Sequence, residues 1–130
     1  MIVLDASVVL ELLVDSPRGK RARARIPETA TLHAPHLLDL EVTQALRRYE
    51  RMGQLDSERA LGALEDLADM IIARYPHEGL LPRIWALRKN VTAYDAAYLA
   101  LAEALEAPLL TADGRLGAVP GHGARVEVVR

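Results

Sequence analysis

Three short apolar runs, Ile2-Val-Leu4, Leu32-His-Ala34 and Leu109-Leu-Thr111, recur along this chain with stretches of helical spacing between them, and that alternation restricts the folds open to it. Each run stops at a residue that ends a strand: Asp5, Pro35 or the turn pair Asp113-Gly114. Runs this short, with little polar alternation, suit strands buried on both faces. Ser7 to Val14 reads as a short helix with Val8, Val9, Leu12 and Leu13 on its apolar side. Pro17 can open a second helix through the Arg/Ala run to Ile26, since proline is tolerated in a first turn. His36 to Met52 is strongly helical and Gly53 can end it. Ser57-Glu-Arg59 opens another helix, with Leu61, Leu64, Leu67 and Ala68 at helical spacing. Met70 to Tyr75, stopped by Pro76, fits either the end of that helix or a third strand. Leu80 to Arg88 is helical, Thr92 caps an alanine-rich helix running to Glu106, and Arg125 to Val129 is a weaker final strand. The expectation is one α/β domain over residues 1–130, with a central, mainly parallel sheet of four to five strands flanked by helices.

Composition removes several classes of function. There is no cysteine, so disulfides, thiolate metal sites and cysteine nucleophiles are excluded. His33, His36, His77 and His122 lack a metal-binding pair spacing on one helix, which argues against zinc. A net charge of −2 gives no global attraction for polyanions, so any nucleic acid would be held by local basic patches and by metal. No run approaches the roughly 20 apolar residues that span a bilayer. The chain begins as a strand without a charged leader, and the expected location is the cytoplasm, with no membrane contact.

Four acids stand out against this background. Asp5 ends the first strand run and Asp113 follows a later one, at the carboxyl ends of strands where open parallel sheets build their sites. At about 100° per residue, Leu37, Leu38, Val42, Ala45, Leu46, Tyr49 and Met52 cover roughly half of their helix, and Glu41 points within that arc. Asp95 likewise points between Leu99 and Ala102. Each aspartate also has a local explanation. Asp5 can cap a helix, Thr92-Ala-Tyr-Asp95 has the form of a capping box, and Asp113-Gly114 is a common turn pair. An unpaired buried charge is costly, so a convergent set of carboxylates makes sense chiefly around a hard divalent cation that prefers oxygen ligands.

Val3-Leu-Asp-Ala-Ser-Val8, Asp39-Leu-Glu-Val-Thr-Gln-Ala-Leu46, Tyr94-Asp-Ala-Ala-Tyr-Leu-Ala-Leu-Ala102 and Leu110-Thr-Ala-Asp113 together resemble the successive motifs of PIN-domain nucleases, and most closely VapC-type toxins of toxin–antitoxin pairs. The resemblance runs end to end, with all four acidic positions filled. It implies a Mg²⁺- or Mn²⁺-dependent endoribonuclease that hydrolyses RNA phosphodiesters, with Asp5, Glu41, Asp95 and Asp113 as catalytic and metal-binding residues. Asp5 and Asp95, which flank the same opening in the family pattern, are the first choice as metal ligands, and Asp113 would complete the shell or bind through water. Glu41 orients or deprotonates the attacking water, or holds a second metal. Ser7 and Thr111 stand beside Asp5 and Asp113 in secondary roles. The resemblance further implies a homodimer and a small antitoxin protein that occludes the acidic pocket. Apolar surface around Leu61, Leu64 and Leu67 suits either contact, and suits core packing equally well.

Two basic clusters, Arg18-Lys20-Arg21-Arg23-Arg25 and Arg47-Arg48-Arg51, are candidates for RNA phosphates and read most simply as solvated helix faces; Trp85 reads as a packing residue. A receiver-type signalling domain would want paired acids after the first strand and a late lysine, which are missing. A haloacid-dehalogenase-like phosphatase would want an aspartate where Ser7 stands. The remaining alternatives share the fold: a module that holds metal or RNA without cutting, or an RNA-processing nuclease outside a toxin–antitoxin pair.

Overall fold

The computed structural model describes residues 1–130. Five strands, β1 (Ile2–Leu4), β2 (Leu32–Pro35), β3 (Ile72–Tyr75), β4 (Leu109–Thr111) and β5 (Val126–Val128), form one sheet in the order β3-β2-β1-β4-β5. Every pairing is parallel, as the alternation of runs and helices requires. β1 lies in the middle, with Val3 opposite His33 on one side and Leu109 on the other. Val3, Leu4, Leu109 and Leu110 are buried, which accounts for the unbroken apolar character of these runs.

The ambiguous segment resolves as a strand. Its four residues pair with β2 from Leu32↔Ile72 to Pro35↔Tyr75, while the preceding helix stops at Asp69 and Met70 turns into extended backbone. Pro35 is the last residue of β2, beyond the stretch paired to β1, so its missing N–H removes no bond from that ladder.

Six helices cover the sheet: α1 (Ala6–Val14), α2 (Pro17–Ala24), α3 (Leu37–Arg51), α4 (Ser57–Asp69), α5 (Leu81–Ala86) and α6 (Ala93–Leu105). Their starts follow the sequence signals. Asp5, Ser16, Asp56 and Thr92 each cap a helix through a side-chain oxygen. Gly53 follows the α3 C-terminus with φ 73°, the left-handed conformation for which glycine is favoured. α5 is shorter than its sequence suggests: Leu80 belongs to the 3₁₀ turn Glu78–Leu80 before it, and Leu87 and Arg88 lie in a turn after it. α6 is the central helix: every residue from Ala96 to Ala102 is buried, and the alanines let it approach the sheet closely. None of the helices is long and apolar enough to cross a membrane.

α1 and α2 cross in close contact at Gly19. A Cβ added there would stand 2.1 Å from the Glu11 carbonyl oxygen, inside the repulsive wall of a backbone atom that cannot rotate away. Gly19→Ala should therefore destabilise the fold by at least about 2 kcal/mol in urea unfolding, as overpacking does, whereas Gly62→Ala, with open space around it, should be neutral or mildly stabilising.

Candidate active site

The strands are all parallel, so their carboxyl ends share one edge of the sheet, and four acids meet there from four separate segments. Asp5 leaves β1 and caps α1 by accepting the Val8 N–H at Oδ1 (3.1 Å). Ser7 Oγ donates to the same oxygen (2.7 Å) and Thr111 Oγ1 donates to Oδ2 (2.5 Å). Each hydroxyl accepts a backbone N–H from the chain leaving β4: Ala112 donates to Ser7 (3.0 Å) and Asp113 to Thr111 (2.9 Å). A hydroxyl has one proton to give, and these backbone donors leave both protons aimed at Asp5. Asp5 is only 5% exposed, and burial pushes its carboxyl up from the ordinary value. The Thr111, Ser7 and Val8 donors oppose that shift, and the Asp95 charge adds to it.

Glu41 stands one turn into α3, at the margin between the buried side of the helix and its open side. Leu38, Val42 and Leu46 are buried, and Leu40 is exposed. Its Oε1 accepts the Tyr98 hydroxyl at 2.6 Å. Burial raises the Glu41 carboxyl above its usual range, the Tyr98 donor lowers it, and the charges of Asp95 and Asp5 raise it further. The same burial and the bond to Glu41 hold the Tyr98 phenol far above ordinary phenol values, so it stays a donor.

Asp95 distinguishes the capping reading from the site reading. Its backbone N–H does donate to Thr92 Oγ1 (3.2 Å), but its carboxylate makes no return bond to the cap and no other hydrogen bond. Burial raises it, with repulsion from Asp113 next and partial relief from Arg115. Asp113 behaves differently. Arg115 donates to it from the backbone (3.0 Å) and from the guanidinium to both oxygens (3.2 Å each), and these bonds hold its carboxyl below the ordinary value. Asp5, Glu41 and Asp95 thus feel one another directly, and Asp113 joins through Asp95. No three of these groups close into a tight ligand cage.

Beside the acids lies a groove of about 930 Å³, lined from α1 and α3 among others, whose walls include Ser7, Glu41, Asp113, Arg18 and Arg48. His36 and His77 meet edge-to-face on its wall with ring centroids 6.1 Å apart. His77 Nε2 accepts the Leu37 N–H at 3.0 Å, so a side chain from the β3 exit satisfies the first turn of α3.

Residues 2–121 match the model of the PIN domain family. Among curated relatives, Ribonuclease VapC1 of Mycobacterium tuberculosis is 43% identical over 129 residues, covering 98% of this chain and 97% of its own. Ribonuclease VapC9 of the same organism is 45% identical over 119 residues, covering 89% and 88%. The crystal structure of VapBC-5, a member of the VapBC family of toxin-antitoxin systems from M. tuberculosis, superposes with a TM-score of 0.59 at 25% identity, covering 98% of this chain and 96% of that one. The chain belongs to the VapC family of PIN domains.

In this VapC-family domain the carboxylates differ in how much of each is committed. A carboxylate has about four lone-pair sites. On Asp5 three are taken, leaving one on Oδ2. Glu41 keeps Oε2 free, and Asp95 keeps both oxygens. An all-oxygen set whose members raise one another suits a hard divalent cation. Four residues of this neighbourhood escaped the sequence reading. Tyr98 could have been suspected, since it lies three residues after Asp95 and is the one polar-headed side chain in the buried stretch of α6. Arg115, two residues after Asp113, carried no signal beyond its position, and His36 and His77 were weighed only as zinc ligands. Ser7 and Thr111 do more than their secondary standing suggested, because they fix both oxygens of Asp5.

The raised carboxyls make a prediction about stability. Between the ordinary and the raised value the folded chain binds more protons than the unfolded one, so this contribution is greatest below the ordinary carboxylate range and is lost as pH rises through the raised value. Asp95→Asn, which breaks no side-chain hydrogen bond, should therefore stabilise the chain at neutral pH in chelator, by less than about 1 kcal/mol given solvent screening. The gain should shrink as pH falls through the carboxylate range, where the protonated aspartate has no charge left to relieve; thermal melts at neutral and acid pH check this, and a gain that is equal or larger at acid pH would overturn it.

Proposed function

We propose that the chain is an endoribonuclease acting as the toxin of a toxin–antitoxin pair, with a bound Mg²⁺ or Mn²⁺. The observation that carries this reading is the gathering of four carboxylates from separate segments at one edge of the sheet, three of them raised by burial and by other members of the set. Relatives named as ribonucleases over nearly the whole chain supply the substrate class. The likeness to a VapBC structure supports a small antitoxin as partner.

Asp5, through its remaining Oδ2 lone pair, and Asp95, with both oxygens uncommitted, would hold the metal. Asp113 joins them once Arg115 turns away, which costs little for a side chain so exposed. When bound, the cation supplies charge neutralisation, polarisation of a phosphoryl oxygen and a more acidic water. The protein's own groups do the rest. Ser7 and Thr111 hold the Asp5 carboxylate in one orientation as the substrate arrives. Tyr98 fixes Glu41 through Oε1, leaving Oε2 turned to accept a proton from the water that attacks phosphorus. The raised Glu41 carboxyl is the stronger base for this step, and like Asp5 it returns to charge balance when a cation enters. As the new P–O bond forms, the bond to the leaving ribose oxygen breaks and that oxygen takes up a proton.

Cleavage of a single-stranded RNA should require Mg²⁺ or Mn²⁺ and stop with chelator. Asp5→Asn, folded by circular dichroism, should lose at least about 100-fold in kcat; retention of full activity would overturn the assignment. Glu41→Gln should lose about 10²–10⁴-fold and abolish the acid limb of the pH–rate profile. Two neighbours complete the reading: a small protein that co-purifies and inhibits, and a homodimer by sedimentation.

A further inference from the structure

The two basic clusters of the sequence have different fates. In the first, Arg21 Nε donates to the Arg130 carbonyl (2.6 Å), Arg25 to the Val128 carbonyl (3.1 Å) and Arg23 to the Leu12 carbonyl (3.3 Å), while Arg18 pairs with Glu11 at 3.9 Å. These side chains fasten α2 to α1 and to the C-terminal strand. The second cluster has no polar partner, and its one contact of note is Arg48 over the neighbouring Tyr49 ring, 5.9 Å from the centroid. Arg47, Arg48 and Arg51 are exposed on α3, none donates a side-chain hydrogen bond, and no carboxylate lies within ion-pair distance of any of them. Gln44, Arg47, Arg48 and Arg51 surround a notch of about 280 Å³, and Arg48 also lines the groove that reaches Glu41.

Their position on the helix gives direction to that charge. Seven residues at about 100° each bring Arg48 to within about 20° of the direction of Glu41, about 10.5 Å farther along the axis. Arg51 and Arg47 lie on the same open side of α3. One helix thus carries an acid at the reacting end and, about two turns later, an unneutralised row of guanidiniums. The occupant that fits is an extended polyanion entering from the Arg end, with its phosphates spaced along the row. A folded acidic protein surface would have no need of the continuity between row and acidic end.

We propose that Arg47, Arg48 and Arg51 form the phosphate track that seats the single-stranded RNA beside the scissile bond, and that Arg21, Arg23 and Arg25 are a structural fastening without this role. The proposal rests on the ribonuclease reading given above.

The test uses the Asp5→Asn chain, which keeps the RNA intact, and measures its affinity for a short single-stranded RNA of mixed sequence across a KCl series. Adding Arg47→Gln, Arg48→Gln and Arg51→Gln should weaken binding at low salt at least about tenfold. It should also lower the slope of log K against log salt by about 2, as expected for three lost phosphate contacts on a single strand. Adding Lys20→Gln, Arg21→Gln and Arg25→Gln instead removes the same charge and should leave the slope nearly unchanged, with folding checked by thermal melt. With Asp5 restored, the α3 triple variant should raise KM and leave kcat within about twofold, since it removes binding shared by ground and transition states. Equal slopes for the two triple variants, or no change with the α3 set, would overturn the proposal. So would an α3 set that weakens binding of poly-glutamate but not of RNA, which would mark a protein-facing surface. Those results leave the functional reading standing wherever the unsubstituted chain still cleaves RNA; a chain that neither binds nor cuts RNA overturns both.

Discussion

Everything at the acidic edge depends on how Asp5 is held. A carboxylate so deeply buried would ordinarily turn outward or take a proton. Here the N-terminus of α1 supplies one donor and two hydroxyls supply the others, and each hydroxyl is itself locked by a main-chain N–H of the segment leaving β4. The position of the charge is therefore set by backbone rather than by flexible side chains. The same few atoms join β1, α1 and β4, so the centre of the sheet and the centre of the site are one construction.

Around that fixed charge the fold gathers others that it does not neutralise. A cationic partner would lower a buried acid; Asp5, Glu41 and Asp95 are all raised. Arg115 pairs with Asp113 at the outer end and relieves Asp95 only in part. The chain accepts a standing electrostatic penalty at this edge, as groups organised for chemistry commonly do. α3 then relates the penalty to substrate. The helix presents Glu41 toward the acids on its half-buried margin and, about two turns on, Arg48 near the same direction with Arg47 and Arg51 on the open side, so attraction for a polyanion and repulsion among carboxylates are arranged along a single axis.

Much of this was legible in the order of residues. β1, β2 and β4 are complete apolar runs between breakers, and a parallel sheet was the simple way to bury them. β3 was not, because Ile71, Ile72 and Tyr75 satisfy a helical and a strand spacing alike; only its pairing with β2, set by residues far away in sequence, decides it. Glu41 announced itself by interrupting an apolar arc, although the structure places it at the rim of that arc, since Met52 at the far end of the helix is exposed. Asp95 could not be separated from a capping box on paper, because that motif is defined by spacing and the deciding fact is where the carboxylate points. Ser7 and Thr111 are 104 residues apart, and no local pattern carries a contact of that range. The two arginine clusters look alike in composition; they part company only once α2 meets the C-terminal strand.

The pairing of β1 with β4 has a consequence for the life of the chain before it is complete. Asp5 leaves the ribosome well ahead of the Thr111 hydroxyl that orients its carboxylate, which comes 106 residues later. Folding proceeds as synthesis supplies the pieces, at about 5–20 residues per second, so the interval is on the order of ten seconds. Through that time the nascent chain has its first acid and no means of aiming it. By the topology of its own sheet, the chain has no completed acidic edge until β4, the fourth of its five strands, has emerged.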